Sequence, residues 1–287
     1  MIFCRANTYS QEVRRVFTRR LALAALALAS VCFLHLTSTG QTKSTADAGA
    51  EAGYIAEACP HASNPNALLE LAQKCSKSLT SDANCRIYSN FKKDRETVES
   101  YIILKDCAQS KPFGYLLIPT ETVTGVESSK IFSGQLVDLW SDAWLWSKKF
   151  PARPFSQTGL AINSNLPGAR SQNQFHIHIS CASSEVRKAL EERKEISYDQ
   201  SQAVLLSLGA KGHQYYAVKV VSLSGSNSPF NVAKTVLKPL ANNLSGHGIA
   251  VIGSSNGDEY YVLVSGSENG NPGNAEELLD EGCKNEN

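Results

Sequence analysis

An α+β fold built on a mainly antiparallel sheet with flanking helices is what this 287-residue sequence predicts. Two observations carry that expectation. Short apolar, β-rich segments come in pairs joined by brief connectors, as antiparallel neighbours do. Single amphipathic stretches with helical spacing separate the pairs. In chain order, residues 66–79 read as a helix with Leu68, Leu69, Leu71 and Ala72 on one side. Residues 98–105 and 113–119 read as strands. Residues 133–150 read as a helix in which Leu136, Leu139, Trp140, Ala143 and Trp146 form a core face, with Ser133 as its N-cap. Residues 157–163 and 174–181 read as two more strands across a Gly/Pro/Asn/Ser turn.

The second half has the same rhythm. A charged helix at 184–195 precedes strands 202–208 and 214–222. A helix at 229–242 follows, then strands 248–253 and 259–265. The Ser255-Asn256-Gly257-Asp258 turn marks the last pair as a hairpin. Both halves read β-β-α-β-β, and GLAINSN (159–165) looks like GIAVIGSSN (248–256), the pattern of two pseudo-repeated halves in one chain.

Lys and Arg number 28 against 27 Asp and Glu, for a net charge of +1, which argues against a dedicated nucleic-acid binder. The balance is uneven. Residues 1–40 hold Arg5, Arg14, Arg15, Arg19 and Arg20 but only Glu12, so the remainder is mildly acidic. An apolar run from Leu21 to Leu36 follows directly. Arginines before an apolar segment of this length mark an export signal or signal-anchor with the N-terminus in the cytoplasm. The expected organisation is a signal-anchor at 1–36, a Ser/Thr/Ala/Gly-rich tether at 37–60 and one catalytic domain at 61–287 beyond the membrane.

That placement governs the cysteines. Cys4 and Cys32 belong to the leader, leaving Cys59, Cys75, Cys85, Cys107, Cys181 and Cys283 in an oxidising compartment. Disulfides are the natural assignment, since no CxxC spacing occurs. Cys75–Cys85 would close a short loop, and Cys181–Cys283 would tie the C-terminal tail to the body.

Of six histidines, two sit at i, i+2 in Gln174-Phe175-His176-Ile177-His178-Ile179. On a strand, Phe175, Ile177 and Ile179 face the core, while Gln174, His176 and His178 share the opposite face. Three readings compete. The histidines belong to a solvated face, or they bind a metal, for which the sequence offers no spaced third ligand. Alternatively one is a nucleophile toward a phosphoanhydride, since a neutral imidazole attacks phosphorus without a strong base.

The run LAINSNLPGARSQNQFHIHISC (160–181) resembles the histidine-triad superfamily and, more closely, the bacterial CDP-diacylglycerol pyrophosphatase family. The resemblance extends to YIILKD and GYLLIPTETVTGVES upstream, and to SEVRKAL and KGHQYYAVKVV downstream. It implies a HIT-like domain that hydrolyses CDP-diacylglycerol to CMP and phosphatidate through a nucleotidyl-histidine intermediate, with no cofactor or metal. It also implies a single-pass inner-membrane protein with a periplasmic catalytic domain. The family's phosphate-contacting Asn and Ser precede its central histidine by 13 and five residues; Asn163 and Ser171 stand so to His176. The resemblance therefore makes His176 the nucleophile and His178 a partner on the phosphoryl oxygens. Asn163, Ser171 and Gln174 become neutral donors to phosphate, and His213 a cleft residue. Gln174 departs from the motif, which has histidine there. The alternatives are another nucleotide anhydride hydrolase or nucleotidyl transferase, or a non-catalytic exported domain that binds nucleotides or lipids.

Overall fold

The computed structural model describes residues 63–77, 86–89, 100–106, 108, 110–133, 139–238, 244–266 and 270–284. The expected leader and tether lie outside them, as do Cys59, Cys85 and Cys107. Among the described residues no helix is long and apolar enough to cross a membrane. The fold is α+β on an open sheet, and every strand pairing among the described residues is antiparallel.

The elements are α1 (Ala67–Lys77), β1 (Arg86–Ser89), β2 (Ser100–Lys105), β3 (Tyr115–Pro119), α2 (Ser129–Phe132), α3 (Leu139–Ser147), β4 (Thr158–Ile162) and β5 (Ile177–Ala182). After them come α4 (Ser184–Glu191), β6 (Val204–Leu208), β7 (His213–Val220), α5 (Pro229–Val236), β8 (Ile249–Gly253), β9 (Tyr260–Ser265) and β10 (Leu279–Asp280). The strand order is β1-β2-β3-β5-β4-β8-β9-β7-β6, with β10 on β5. Outward from the central β4·β8 pair, one side runs β5, β3, β2, β1 and the other β9, β7, β6.

Strand alternation builds two cores on opposite faces. On one face Leu117, Leu160, Ile177, Ile179, Val218 and Val262 pack under α3 and α5, whose Trp140, Ala143 and Phe230 are fully buried. On the other, Leu68, Ala72 and Cys75 of α1 cover Ile102, Leu104, Leu116 and Ile118. There too, Val186 and Leu190 of α4, with Ala275 and Leu278, cover Ala161, Ala250, Ile252 and Leu263.

Several local expectations shift. Ser133 does not cap α3; its backbone N–H closes α2 on Ser129 O at 3.2 Å. Trp144 (4% exposed) joins Trp140 in the core, whereas Trp146 packs at its edge and donates from Nε1 to the Tyr101 hydroxyl at 3.0 Å. Strand β5 begins at Ile177, not 174, because Asn173 and Phe175 donate their N–H groups to Pro65 O (2.7 Å) and Val123 O (2.7 Å) in neighbouring loops. Cys181 and Cys283 form a disulfide with Cα atoms 5.5 Å apart. Cys75 is also disulfide-bonded; its expected partner Cys85 lies outside the described residues.

Candidate active site

On the face carrying α1 and α4, neither cover reaches the start of β5. The gap is a cavity of about 520 Å³ lined by His176, His178, Asn163, Ser171, Arg170 and Glu276 among others. Ile177 and Ile179 point into the opposite core, so alternation turns His178 to the cavity side. Leu104 and Leu116 give the cavity an apolar wall beneath α1.

His176 is 9% exposed and its Nδ1 lies 2.7 Å from the backbone carbonyl of Gln174. A carbonyl only accepts, so Nδ1 carries the proton and Nε2 keeps its lone pair. Burial holds its pKa below the ordinary histidine value, which favours the neutral, nucleophilic ring. The His178 ring stands edge-on to His176, centroids 4.8 Å apart. His178 is held well below the usual value, first by burial and then by repulsion from His176 and Lys111. Its Nδ1 is 3.1 Å from Glu276 Oε1 but off line for a hydrogen bond, so among the described residues both its ring nitrogens lack a hydrogen-bond partner.

Asn163, one residue beyond β4, is tied to Glu276 twice. Its Nδ2 donates to Oε2 at 3.1 Å, and its Oδ1 accepts the Glu276 backbone N–H at 3.0 Å. Ser171 reaches the cavity from the loop between β4 and β5. In the same loop Arg170 makes a two-pronged pair with Glu127.

Gln174 and His213, expected at the phosphates, stand elsewhere. The chain at 174 is not yet extended, and the Gln174 side chain turns into the 119–123 loop. Its Nε2 donates to Pro119 O (2.8 Å) and Glu121 O (2.6 Å), and its Oε1 accepts from Val123 N (3.2 Å). An imidazole has two ring nitrogens and could not make all three bonds. His213 pairs through Nδ1 with Glu277 Oε1 at 2.7 Å, beside Tyr215, outside the cavity lining.

The sequence reading missed the carboxylates. Asp106, Glu276 and Glu281 converge on His178, with one potential ligand atom from each of the four within 4.8 Å of one another. Such a donor set suits a divalent cation in principle. Here the Lys111 ammonium stands among the carboxylates, against Glu276, 3.0 Å from Glu281 and 3.7 Å from Asp106, and supplies the positive charge. Lys105 fixes the loop that carries Lys111 by donating to Lys111 O (2.9 Å) and Gly114 O (3.0 Å). Burial pushes Glu281 up to about 7 despite Lys111. These residues come from distant segments, so no spacing reveals them. The one sequence signal is Cys283, two residues after Glu281, bonded to Cys181, three residues after His178.

Residues 63–287 match the family model described as CDP-diacylglycerol pyrophosphatase. The chain belongs to the CDP-diacylglycerol pyrophosphatase family. It is accordingly a hydrolase acting on a phosphorus anhydride, with CDP-diacylglycerol as the substrate its family implies. Among solved structures, a DUF4931 family protein from Bacillus cereus ATCC 10987 is similar at TM-score 0.35 and 12% identity, over 57% of this chain and 81% of that one. A CDP-diacylglycerol pyrophosphatase needs a site that takes a nucleotide and a diphosphate while the acyl chains stay in lipid. Here one wall of the cavity is apolar and the rest carries two imidazoles, two amides, a hydroxyl, two cations and the carboxylates of Asp106 and Glu276.

Proposed function

We propose that the chain hydrolyses CDP-diacylglycerol through a covalent cytidylyl-histidine. His176 Nε2 attacks the phosphorus of the cytidylyl group. An N–P bond forms, the P–O bond to phosphatidate breaks, and its electron pair leaves on the phosphatidate oxygen. Water then attacks the same phosphorus, the N–P bond breaks back to His176, and CMP departs. His178, Asn163 and Ser171 surround the transferring phosphoryl group as hydrogen-bonding partners. Gln174 acts indirectly, since its backbone carbonyl holds Nδ1 of the nucleophile. The observation that carries this reading is that tautomer: a buried histidine, its Nδ1 held by a carbonyl, beside a second histidine in a cavity of about 520 Å³.

The same reading covers the fold and the compartment. The two β-β-α-β-β halves are repeats of one HIT-like unit. Supporting this, the order of β2 to β5 mirrors that of β6 to β9 about β4·β8, with β1 and β10 outside the pattern, and Ala161 pairs with Ala250 within the look-alike segments. Residues 21–36 anchor the protein in the inner membrane, which keeps a substrate with membrane-bound acyl chains within reach of the periplasmic domain.

The test is to incubate the protein with CDP-diacylglycerol labelled in the cytidylyl group, quench, and look for an acid-labile label at His176. His176→Ala abolishes turnover and labelling while the folded spectrum stays intact. If His176→Ala keeps near-parental hydrolysis and His178→Ala does not, the assignment of the nucleophile is wrong.

A further inference from the structure

We propose that Glu276 is a positioning residue of this site, fixing the His178 ring and the Asn163 amide relative to each other; this rests on the catalytic reading of His176 and His178 above. Each oxygen of its carboxylate has a separate task. Oε2 accepts from Asn163 Nδ2 at 3.1 Å, and Oε1 lies 3.1 Å from His178 Nδ1. The backbone N–H of Glu276 completes the clasp by donating to Asn163 Oδ1. Glu276 thus spans the end of β4 and the start of β5, the places from which Asn163 and His178 project.

The carboxylate is held from behind. Lys111 contacts Oε1, and the turn Ala275–Leu278 is sewn down on either side. Ser164 N donates to Gly273 O (2.9 Å) before the turn, and Ser183 N donates to Leu278 O (3.0 Å) at its end. Ala275 and Leu278 are fully buried, so the turn cannot rotate Glu276 away without opening a core.

The choice of residue type matters chemically. A carboxylate only accepts hydrogen bonds. At 3.1 Å from Nδ1, though off line for a hydrogen bond in the unliganded site, its negative charge favours the proton on that nitrogen, so proton exchange with substrate passes through Nε2. Among the described residues neither ring nitrogen of His178 has a hydrogen-bond partner, but only Nδ1 lies beside a carboxylate, which leaves Nε2 for the phosphoryl group or the hydrolytic water. An amide at the same place could still accept from Asn163, but it would then turn its NH₂ toward Nδ1 and favour the opposite tautomer.

The experiment compares the parent with Glu276→Gln, His178→Ala and the double variant. It reads kcat and KM for CDP-diacylglycerol and the ring-nitrogen NMR shifts of His178. Glu276→Gln should lower kcat by about 10²-fold with KM within about threefold. It should lose that effect in the His178→Ala background, and move the His178 proton from Nδ1 to Nε2. An equal drop with and without His178, or an unchanged tautomer, overturns the proposal. Glu277→Gln, in the same turn but paired with His213 and Tyr215, controls for the turn itself. If it lowers kcat and shifts His178 equally, the role of Glu276 is structural and the proposal falls. The NMR reading needs no turnover, so it stands if His176→Ala retains activity. That result would remove the nucleophile assignment and leave the Glu276 tautomer effect to be judged by itself.

Discussion

Replacing Cys283 by alanine opens the clasp that ties the C-terminal segment to β5, and the size of the effect follows from where the bond sits. Cys181 and Cys283 are 102 positions apart. In the chain-entropy picture a cross-link closing a loop of that length restricts the unfolded chain by about 4.7 kcal/mol. For a domain of this size each kcal/mol moves the melting temperature by about 2–4 °C, so the variant should melt about 9–19 °C lower. The folded segment keeps other attachments. Leu279 and Asp280 pair with Ala182 and Cys181, and Phe113 N donates to Glu281 O at 3.2 Å. Gly159 makes room for this crossing, since a Cβ there would come within 2.5 Å of Leu279 Cδ2. Well below its midpoint the variant should therefore keep its secondary structure and part of its turnover. The assay is a thermal scan by near-ultraviolet circular dichroism, with CMP release measured on the same samples at 25 °C. A melting temperature within about 2 °C of the parent would refute the reasoning, because it would mean the bond constrains neither state.

Other outcomes follow from the charges around the histidines. Burial lowers the His176 pKa, so the neutral ring, the form the proposed attack requires, persists below the ordinary histidine midpoint. A pH profile of kcat/KM should have its acid limb below about 6.5, and a limb above that value would contradict the lowered pKa and the neutral ring it favours. Glu281 is raised to about 7, so the folded state holds a proton that the unfolded chain has lost between about 4.5 and 7. Stability therefore falls as pH rises through that window. Glu281→Gln should narrow the difference between melting temperatures at pH 5 and pH 8; an unchanged difference would place the proton elsewhere. Because Lys111 stands among Asp106, Glu276 and Glu281, prolonged dialysis against EDTA should leave turnover unaltered. Loss of activity that zinc or magnesium restores would show that a metal displaces the lysine.

Alternation and helical spacing made the central strands and main helices legible, because those segments are buried on one or both faces and their side chains must follow the sheet or helix period. Three short elements escaped. Strand β1, helix α2 and strand β10 have two to four residues each, too few to show a period. Gln174 shows where period reasoning stops. It sits in phase with His176 and His178, yet the chain has not entered the strand there, and loop hydrogen bonds aim its side chain away. The histidine pair was readable because both members lie on one short segment. Asp106, Lys111 and Glu276 were not, because only the closure of the sheet brings the β2–β3 loop and the C-terminal turn to the same imidazole.

The β4·β8 seam has a consequence for how the molecule melts. From Gly159–Ile252 to Ile162–Ile249 it joins the two halves by the same kind of ladder that joins strands within each half. Trp140 and Phe230, from the helices of different halves, pack edge-on at 5.6 Å in one continuous core. Among the described residues no boundary along the sheet is weaker in kind than its neighbours, since every strand pair is joined by an antiparallel ladder. Denaturant should register a single transition for residues 100–265. A lesion in the half without the histidine pair would then reach His176 by thinning the folded population, with the chemistry of each surviving molecule unaltered.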